Sequence, residues 1–288
     1  MVGPPRRRVS ATVRRRRFLQ AVAEHSILIA FSVGYLVPLV FVVLTSLMST
    51  RQALSNSLWP RPFVWHNYIE IFRTQPLLRY SLNTSLYAGL STVGVLVSGV
   101  PVAYVLSRID WRGRQVVFLL VLSTLMLPAQ VTVLPLYVIF TRLHWIGTLK
   151  PLILPNFFGD AFSIFLLRQF FLTIPQELLD AARVDGGSEL QIIRRVVIPV
   201  ARTGIAAVAL FQVLYAWNDF FNPLLYLGEI RQNWTLSLGL SNFTTFHGSV
   251  VWNLTMAASV LFILPVIIVF FFAQRVFIQG ITLTGIKG

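Results

Sequence analysis

The 288-residue sequence contains no cysteine, which excludes disulfides, thiolate-bound metals and cysteine nucleophiles. Its four histidines, His25, His66, His144 and His247, fall on different segments with no pair at ligand spacing, so the donors for a metal site are missing. No serine stands in the Gly-x-Ser-x-Gly setting of a hydrolase nucleophile. The stretch nearest to a phosphate loop runs from Gly280 to Gly288 and has two glycines at the right separation. It lacks a lysine directly after the second glycine and a Ser/Thr and helix beyond it. The chain is therefore expected to bind no cofactor and to catalyse nothing. If ATP and magnesium drive its work, another subunit holds them. Charge is scarce too, at 12% of residues, with ten Asp and Glu against 24 Lys and Arg.

What is abundant is apolar surface: 56% hydrophobic residues and a mean hydropathy of +0.72. A helix needs ~20 mostly apolar residues to cross hydrocarbon. Six stretches qualify, 27–47, 82–106, 116–140, 152–172, 204–227 and 254–277. They predict an all-α integral membrane protein with six transmembrane helices and both termini on one side. The fourth stretch is polar in its first half, through Pro155, Asn156, Gly159 and Asp160, and its ordered helix is expected to begin late. Seventeen of the 24 Lys and Arg lie on the N-terminal side of the membrane, beginning with Arg6 to Arg8 and Arg14 to Arg17. Positive segments stay cytoplasmic, so the expected topology is N-in and C-in. Residues 1–26 then form a basic cytoplasmic tail, 27–277 the membrane domain and 278–288 a cytoplasmic C-terminal tail.

The net charge of +14 does not point to nucleic acid, because the arginines flank membrane segments and do not gather on one face. The N-terminal cluster suits topology and anionic lipid headgroups. Its twin-arginine look is accidental, since such signals carry folded soluble cargo and five more spans follow. No small-x-small cleavage site follows Leu47, so the first span is expected to stay as an anchor.

One polar interruption, residues 173–202, reads as two short amphipathic helices joined by a glycine hinge. Thr173 with Gln176, and Ser188 with Gln191, have capping-box spacing. Pro175 suits a first turn, and Gly186-Gly187 supplies positive φ at a helix end. Leu178, Leu179 and Ala182 share one face of the first helix; Leu190, Ile193 and Val197 share one face of the second. Such a loop lies either on anionic headgroups, through Arg194 and Arg195, or in a protein partner. The carboxylates Glu177, Asp180 and Asp185 favour the protein.

Asp219 stands inside the fifth span, in Trp217-Asn218-Asp219-Phe220-Phe221-Asn222-Pro223. An ionisable residue at membrane depth costs about 2.5–3.5 kcal/mol and faces a cavity or a polar partner; one near the outer end of a span is instead hydrated or caps a helix. Asn222 and Pro223 make a helix break plausible. Trp217, Asn218, Asp219 and Phe220 are thus candidate translocation-path residues, with Trp217, Phe220 and Phe221 either stacking on sugar rings or facing lipid and core. The small residues of the second span, among them Ala88, Gly89, Ser91, Gly94, Ser98 and Gly99, read first as a helix-packing interface. Pro101, Pro128 and Pro135 read as kinks. The outer segment 49–81, with Trp59, Trp65 and Tyr68, is either an interfacial aromatic belt or a docking surface for an external protein.

At these residues the chain resembles the sugar-type permease subunits of ATP-binding-cassette importers. The family's cytoplasmic signature, Glu-Ala-Ala, three residues, glycine, and proline thirteen residues later, is matched in spacing by Asp180-Ala181-Ala182, Gly186 and Pro199. Asp180 replaces the usual Glu, keeping the charge with a shorter reach, and Gly187 replaces the usual Ala, loosening the hinge. Trp65-His66-Asn67-Tyr68, Asn83-Thr84-Ser85, Ala103-Tyr104 with Arg108, Leu127-Pro128, Trp217-Asn218-Asp219 and Gly285-Ile286-Lys287-Gly288 also follow the pattern. The likeness is greatest to the smaller permease of maltose-type transporters. It implies a type I permease fold in a bacterial inner membrane, with Glu177, Asp180, Ala181, Ala182, Asp185, Gly186 and Pro199 forming a coupling helix seated on a cytoplasmic ATPase. It also implies a second permease, two ATPase subunits that use ATP and magnesium, and an extracytoplasmic solute-binding protein. Gly285, Lys287 and Gly288 of the tail would enter the ATPase interface. The competing reading is an ion-coupled secondary transporter using Asp219; a stand-alone pore is a weaker third.

Overall fold

A backbone in hydrocarbon has to satisfy its N–H and C=O groups within its own segment, so long apolar runs fold as helices. The computed structural model describes residues 11–245 and 251–284 and, among these, is helical without a β-strand. The principal helices are α1 (Ala11–Ser46), α2 (Asn67–Thr74), α3 (Leu77–Arg108), α4 (Arg114–Thr124), α5 (Ala129–Arg142), α6 (Ala161–Leu172), α7 (Gln176–Val184), α8 (Glu189–Ile192), α9 (Arg202–Asn218), α10 (Phe221–Leu227), α11 (Leu236–Thr245) and α12 (Trp252–Thr284).

Among the described residues, four segments are long and apolar enough to cross a membrane: Leu19–Ser46, Leu77–Arg108, Lys150–Leu172 and Trp252–Phe272. A bent pair, Glu189–Val200 with Arg202–Asn218, raises the number to five. The expected third stretch is not one helix, because α4 ends at Thr124 and α5 starts at Ala129. Pro128 precedes α5 with ψ of 132°; its ring removes an N–H and disfavours helical geometry in the residue before it, so it breaks the helix where a kink was expected. The fifth stretch stops at Asn218, Asp219 is extended, and only the seven-residue α10 follows. The fourth stretch begins late as expected. A 3-10 turn over Leu154–Phe158 leads to Gly159, and the Asp160 carboxylate caps α6 by accepting the Ser163 N–H at 2.7 Å.

The chain divides into two units. In the first, residues 1–68 with 251–260, Asn67 is the tie: its side-chain amide donates to the carbonyls of Ser46 and Met48 at 2.8 and 2.9 Å and accepts from Asn253 at 3.2 Å. Asn67 thus satisfies orphan carbonyls at the end of α1, and the quoted Trp-His-Asn-Tyr run has a structural use.

In the second unit, residues 69–250 with 261–288, α3 is the central helix and packs on both α6 and α9. The stripe of small residues serves as the expected packing face. A Cβ on Gly94 would lie 2.7 Å from the Phe157 ring, and Ser98 donates to the Asn156 carbonyl at 3.2 Å. At the other end of α3, Asn83 donates to the carbonyls of Gln232 and Trp234, both at 2.9 Å, and Thr84 accepts the first N–H of α11 at 2.8 Å.

Candidate functional site

The interruption between α6 and α9 is a folded corner. α7 ends in a Schellman motif: the Gly187 N–H bonds the Ala182 carbonyl and the Gly186 N–H bonds the Arg183 carbonyl, both at 3.0 Å. Gly186 carries the positive φ, +80°, that a Cβ would strain. Gly187 does not loosen the turn as expected. A Cβ there would sit 2.8 Å from the Ala182 carbonyl oxygen, so glycine is what lets the corner close.

The capping box at Ser188 and Gln191 forms, with Gln191 accepting the Ser188 N–H at 2.9 Å. The one expected at Thr173 does not. Thr173 ends α6, its hydroxyl donates back to the Phe170 carbonyl at 2.7 Å, and Pro175 takes the N-cap position of α7 without a side-chain cap. Beyond α8 the helix widens into a π turn at Ile193–Val197, passes Pro199 in Ile198–Val200, and meets α9 at an 82° bend.

Two layers hold this corner to the membrane unit. Leu179, Ile192, Ile193 and Val197 are buried with Tyr104, Leu167, Phe171 and Val208 in one apolar cluster. Around them runs a polar ring. Arg108 donates to the carbonyls of Phe171 and Ile174 and to the Gln176 side chain. The Tyr104 hydroxyl donates to Glu189 at 2.5 Å, and Arg183 donates to Glu189 at 3.0 Å and to Asp180 at 2.9 Å. The hydrogen bonds from Tyr104 and Arg183 hold the Glu189 carboxylate below its ordinary pKa, and those from Arg183 to Glu189 and Asp180 raise the guanidinium's own. Arg183 and Glu189 were not among the expected site residues, because their pairing depends on the turn between them.

The outer face is different. Glu177, Asp180, Ala181, Asp185 and Gly186 are exposed and Ala182 is half-buried. Leu178 and Leu190, placed by spacing on one face with Leu179 and with Ile193, part from those buried neighbours and point outward, as does Val184 at 88% exposure. A shallow depression lies between Ala182, Asp185, Gln191 and Arg195. The corner thus offers a mixed acidic and apolar surface on a rigid base.

The second candidate group sits at the break after α9. Asp219 accepts the Tyr87 hydroxyl at 2.8 Å, the Asn222 amide at 3.0 Å and the Asn222 backbone N–H at 3.2 Å, while its carbonyl accepts from Ser237 at 2.6 Å. It acts as a cap and a crosslink between α3, α10 and α11. Trp217 is buried, with its indole N–H on the Phe262 carbonyl at 3.2 Å, so its ring faces α12. Asn218 and Phe220 are exposed. The tail residues Gly285, Lys287 and Gly288 lie outside the described residues.

Residues 96–283 match the family described as binding-protein-dependent transport system inner membrane component. The chain is 35% identical over 262 residues to the arabinooligosaccharides transport system permease protein AraQ of Bacillus subtilis, covering 89% of this chain and 92% of that one. Against the diacetylchitobiose uptake system permease protein NgcG of Streptomyces coelicolor it is 30% identical over 263 residues, covering 90% and 86%. It shares the fold of a bacterial ABC transporter involved in the import of the acidic polysaccharide alginate, with a TM-score of 0.79 at 24% identity over 94% of this chain and 99% of that one.

Proposed function

Because the chain belongs to the binding-protein-dependent transport inner-membrane components, we propose that it is one permease of an ATP-driven importer for a saccharide or related polar solute. The observation that carries this reading is the corner at Gly186. It presents Asp180, Ala181, Ala182 and Asp185 outward, while its inner face is locked to the ends of α3, α6 and α9. A push on such a corner moves the helices behind it. In this reading a cytoplasmic ATPase subunit receives the corner, small Ala181 and Ala182 allowing close approach. ATP binding in a pair of such subunits, which also hold magnesium, draws the docked corners together and rocks the helices outward. A second permease completes the path, and an external binding protein delivers the solute. The topology in this proposal remains N-in and C-in with six spans, α4 and α5 together forming the third. Gly285, Lys287 and Gly288 reach the ATPase interface.

The rival, ion-coupled transport through Asp219, is less well supported, since three donors already engage that carboxylate. Uptake in reconstituted vesicles separates the two. Arabinotriose or diacetylchitobiose uptake that requires ATP, the ATPase subunits and the second permease supports the importer. Uptake by this chain alone under a proton or sodium gradient overturns it.

A further inference from the structure

Between α6 and α9 lies a cavity of about 400 Å³ bordered by Asn156, Asp160, Phe162, Phe211, Gln212 and Tyr215, a size suited to small-molecule ligands. It lies deep in the membrane. Gln212 is ten residues into α9 and Asp160 twelve residues before the end of α6, about 15 and 18 Å along helices that rise 1.5 Å per residue. Both ends point to the same side, so the cavity is near the middle of a hydrocarbon layer about 30 Å thick. Polar groups at that depth pair with one another or with backbone carbonyls, line an aqueous path, or meet a ligand. Asn156 donates to the carbonyls of Leu152 and Ile153, which leaves its side-chain oxygen and the Asp160 carboxylate toward the cavity.

Its chemistry is specific. Phe162, Phe211 and Tyr215 are exposed apolar or amphipathic rings, and Phe162 and Phe211 stand edge to face with centroids 6.0 Å apart. Gln212 is buried and donates to the Asn156 side-chain oxygen at 3.2 Å, which orients both amides. Asp160 uses Oδ2 to cap α6, and its Oδ1 is the atom a ligand hydroxyl would meet. Among the described residues, neither Arg, Lys nor His lines the cavity. Sugar rings have an apolar C–H face and a rim of hydroxyls, which fits aromatic rings beside amides and a carboxylate. A phosphate or uronate calls for guanidinium or ammonium partners, and Asp160 would repel it.

Resting on the importer reading, we propose that this cavity is a transport subsite for a neutral saccharide ring and excludes phosphorylated polyols and acidic sugars. The absence of native cysteine permits a direct test in the assembled transporter in membrane vesicles, its other subunits also freed of cysteine. Tyr215→Cys is labelled with a cationic methanethiosulfonate reagent; Phe162→Cys serves as the second site should the first variant fail to assemble. Arabinotriose, diacetylchitobiose and sn-glycerol 3-phosphate are the probes. A neutral saccharide at about twice its Kd is expected to slow labelling about threefold, since free sites fall as 1/(1 + [L]/Kd), and sn-glycerol 3-phosphate is expected to have no effect. Protection by the phosphate ester overturns the assignment. So does a cysteine that reacts only when the second permease is missing, because that subunit then fills the cavity. Uptake by the cysteine-free transporter is followed in parallel: its dependence on ATP tests the importer reading, and labelling that no transported saccharide slows overturns the subsite alone.

Discussion

Arg183 donates to Glu189 at 3.0 Å across the turn at Gly186, so the last turn of α7 is closed onto the first turn of α8. The pair converts what reads as a hinge into a closed corner. It is partly exposed, with 46% of the Glu189 side chain accessible, so its value lies in geometry more than in stability.

Gly186→Pro is expected to abolish ATP-dependent uptake while membrane insertion persists, because proline fixes φ near −65° and the site requires +80°. Gly186→Ala meets open space and pays only the left-handed backbone cost of about 1–2 kcal/mol, so it should retain coupling. Ala182→Arg should uncouple hydrolysis from transport. Uptake and ATPase rate, measured together in vesicles, check all three; unchanged coupling in both Gly186→Pro and Ala182→Arg would count against a docked corner.

The depressed pKa of Glu189 sets a direction for pH. A carboxylate with a lower pKa folded than unfolded contributes stability above its unfolded value, ~4.3, and loses it as pH falls through the folded one. Protease resistance of the 183–189 corner should therefore hold at neutral pH and decline below about pH 4. Glu189→Gln should be less resistant at neutral pH and flatter across the acid range. A wild-type profile that does not change on acidification contradicts the linkage.

A Cβ on Gly204 would lie 2.3 Å from the Phe170 ring, and overpacking of this kind costs typically about 1–3 kcal/mol. Gly204→Ala should lower the thermal midpoint in detergent, and adding Phe170→Ala should recover part of the loss. Additive losses in the double variant would show that the two positions do not meet.

Tyr87→Phe removes the hydrogen bond to Asp219, worth about 0.5–1.5 kcal/mol, and should destabilise the junction of α3 and α10. Asp219→Asn keeps a capping oxygen and should leave uptake dependent on ATP and indifferent to a proton ionophore. Ionophore-sensitive uptake in the wild type would revive the coupling-carboxylate reading.

Local chemistry was readable where one or two turns decide it. Ser188 and Gln191 cap α8 because their spacing alone brings them together, and Asp160 delays α6 because its side chain competes for the first N–H groups. Thr173 misled for the same local reason: its hydroxyl had two backbone choices, and the carbonyl of Phe170 won. Leu178 and Leu190 share a helical face with buried neighbours by spacing, yet the surface that buries Leu179 and Ile193 stops short of them.

The cavity between α6 and α9 shows the division most clearly. Asn156 and Asp160 stood out as polar residues within an apolar stretch, but Gln212 lies 56 positions beyond Asn156 and meets it only because the segments that carry them pack on the same helix, α3. Composition, charge bias and breaker placement by themselves determined a helical membrane chain and its polar corner, since both are additive or short-range properties. Only the tertiary structure decided which carboxylate is crosslinked, which aromatic is buried and which glycine tolerates no side chain, because these depend on what a distant segment brings within a few ångströms.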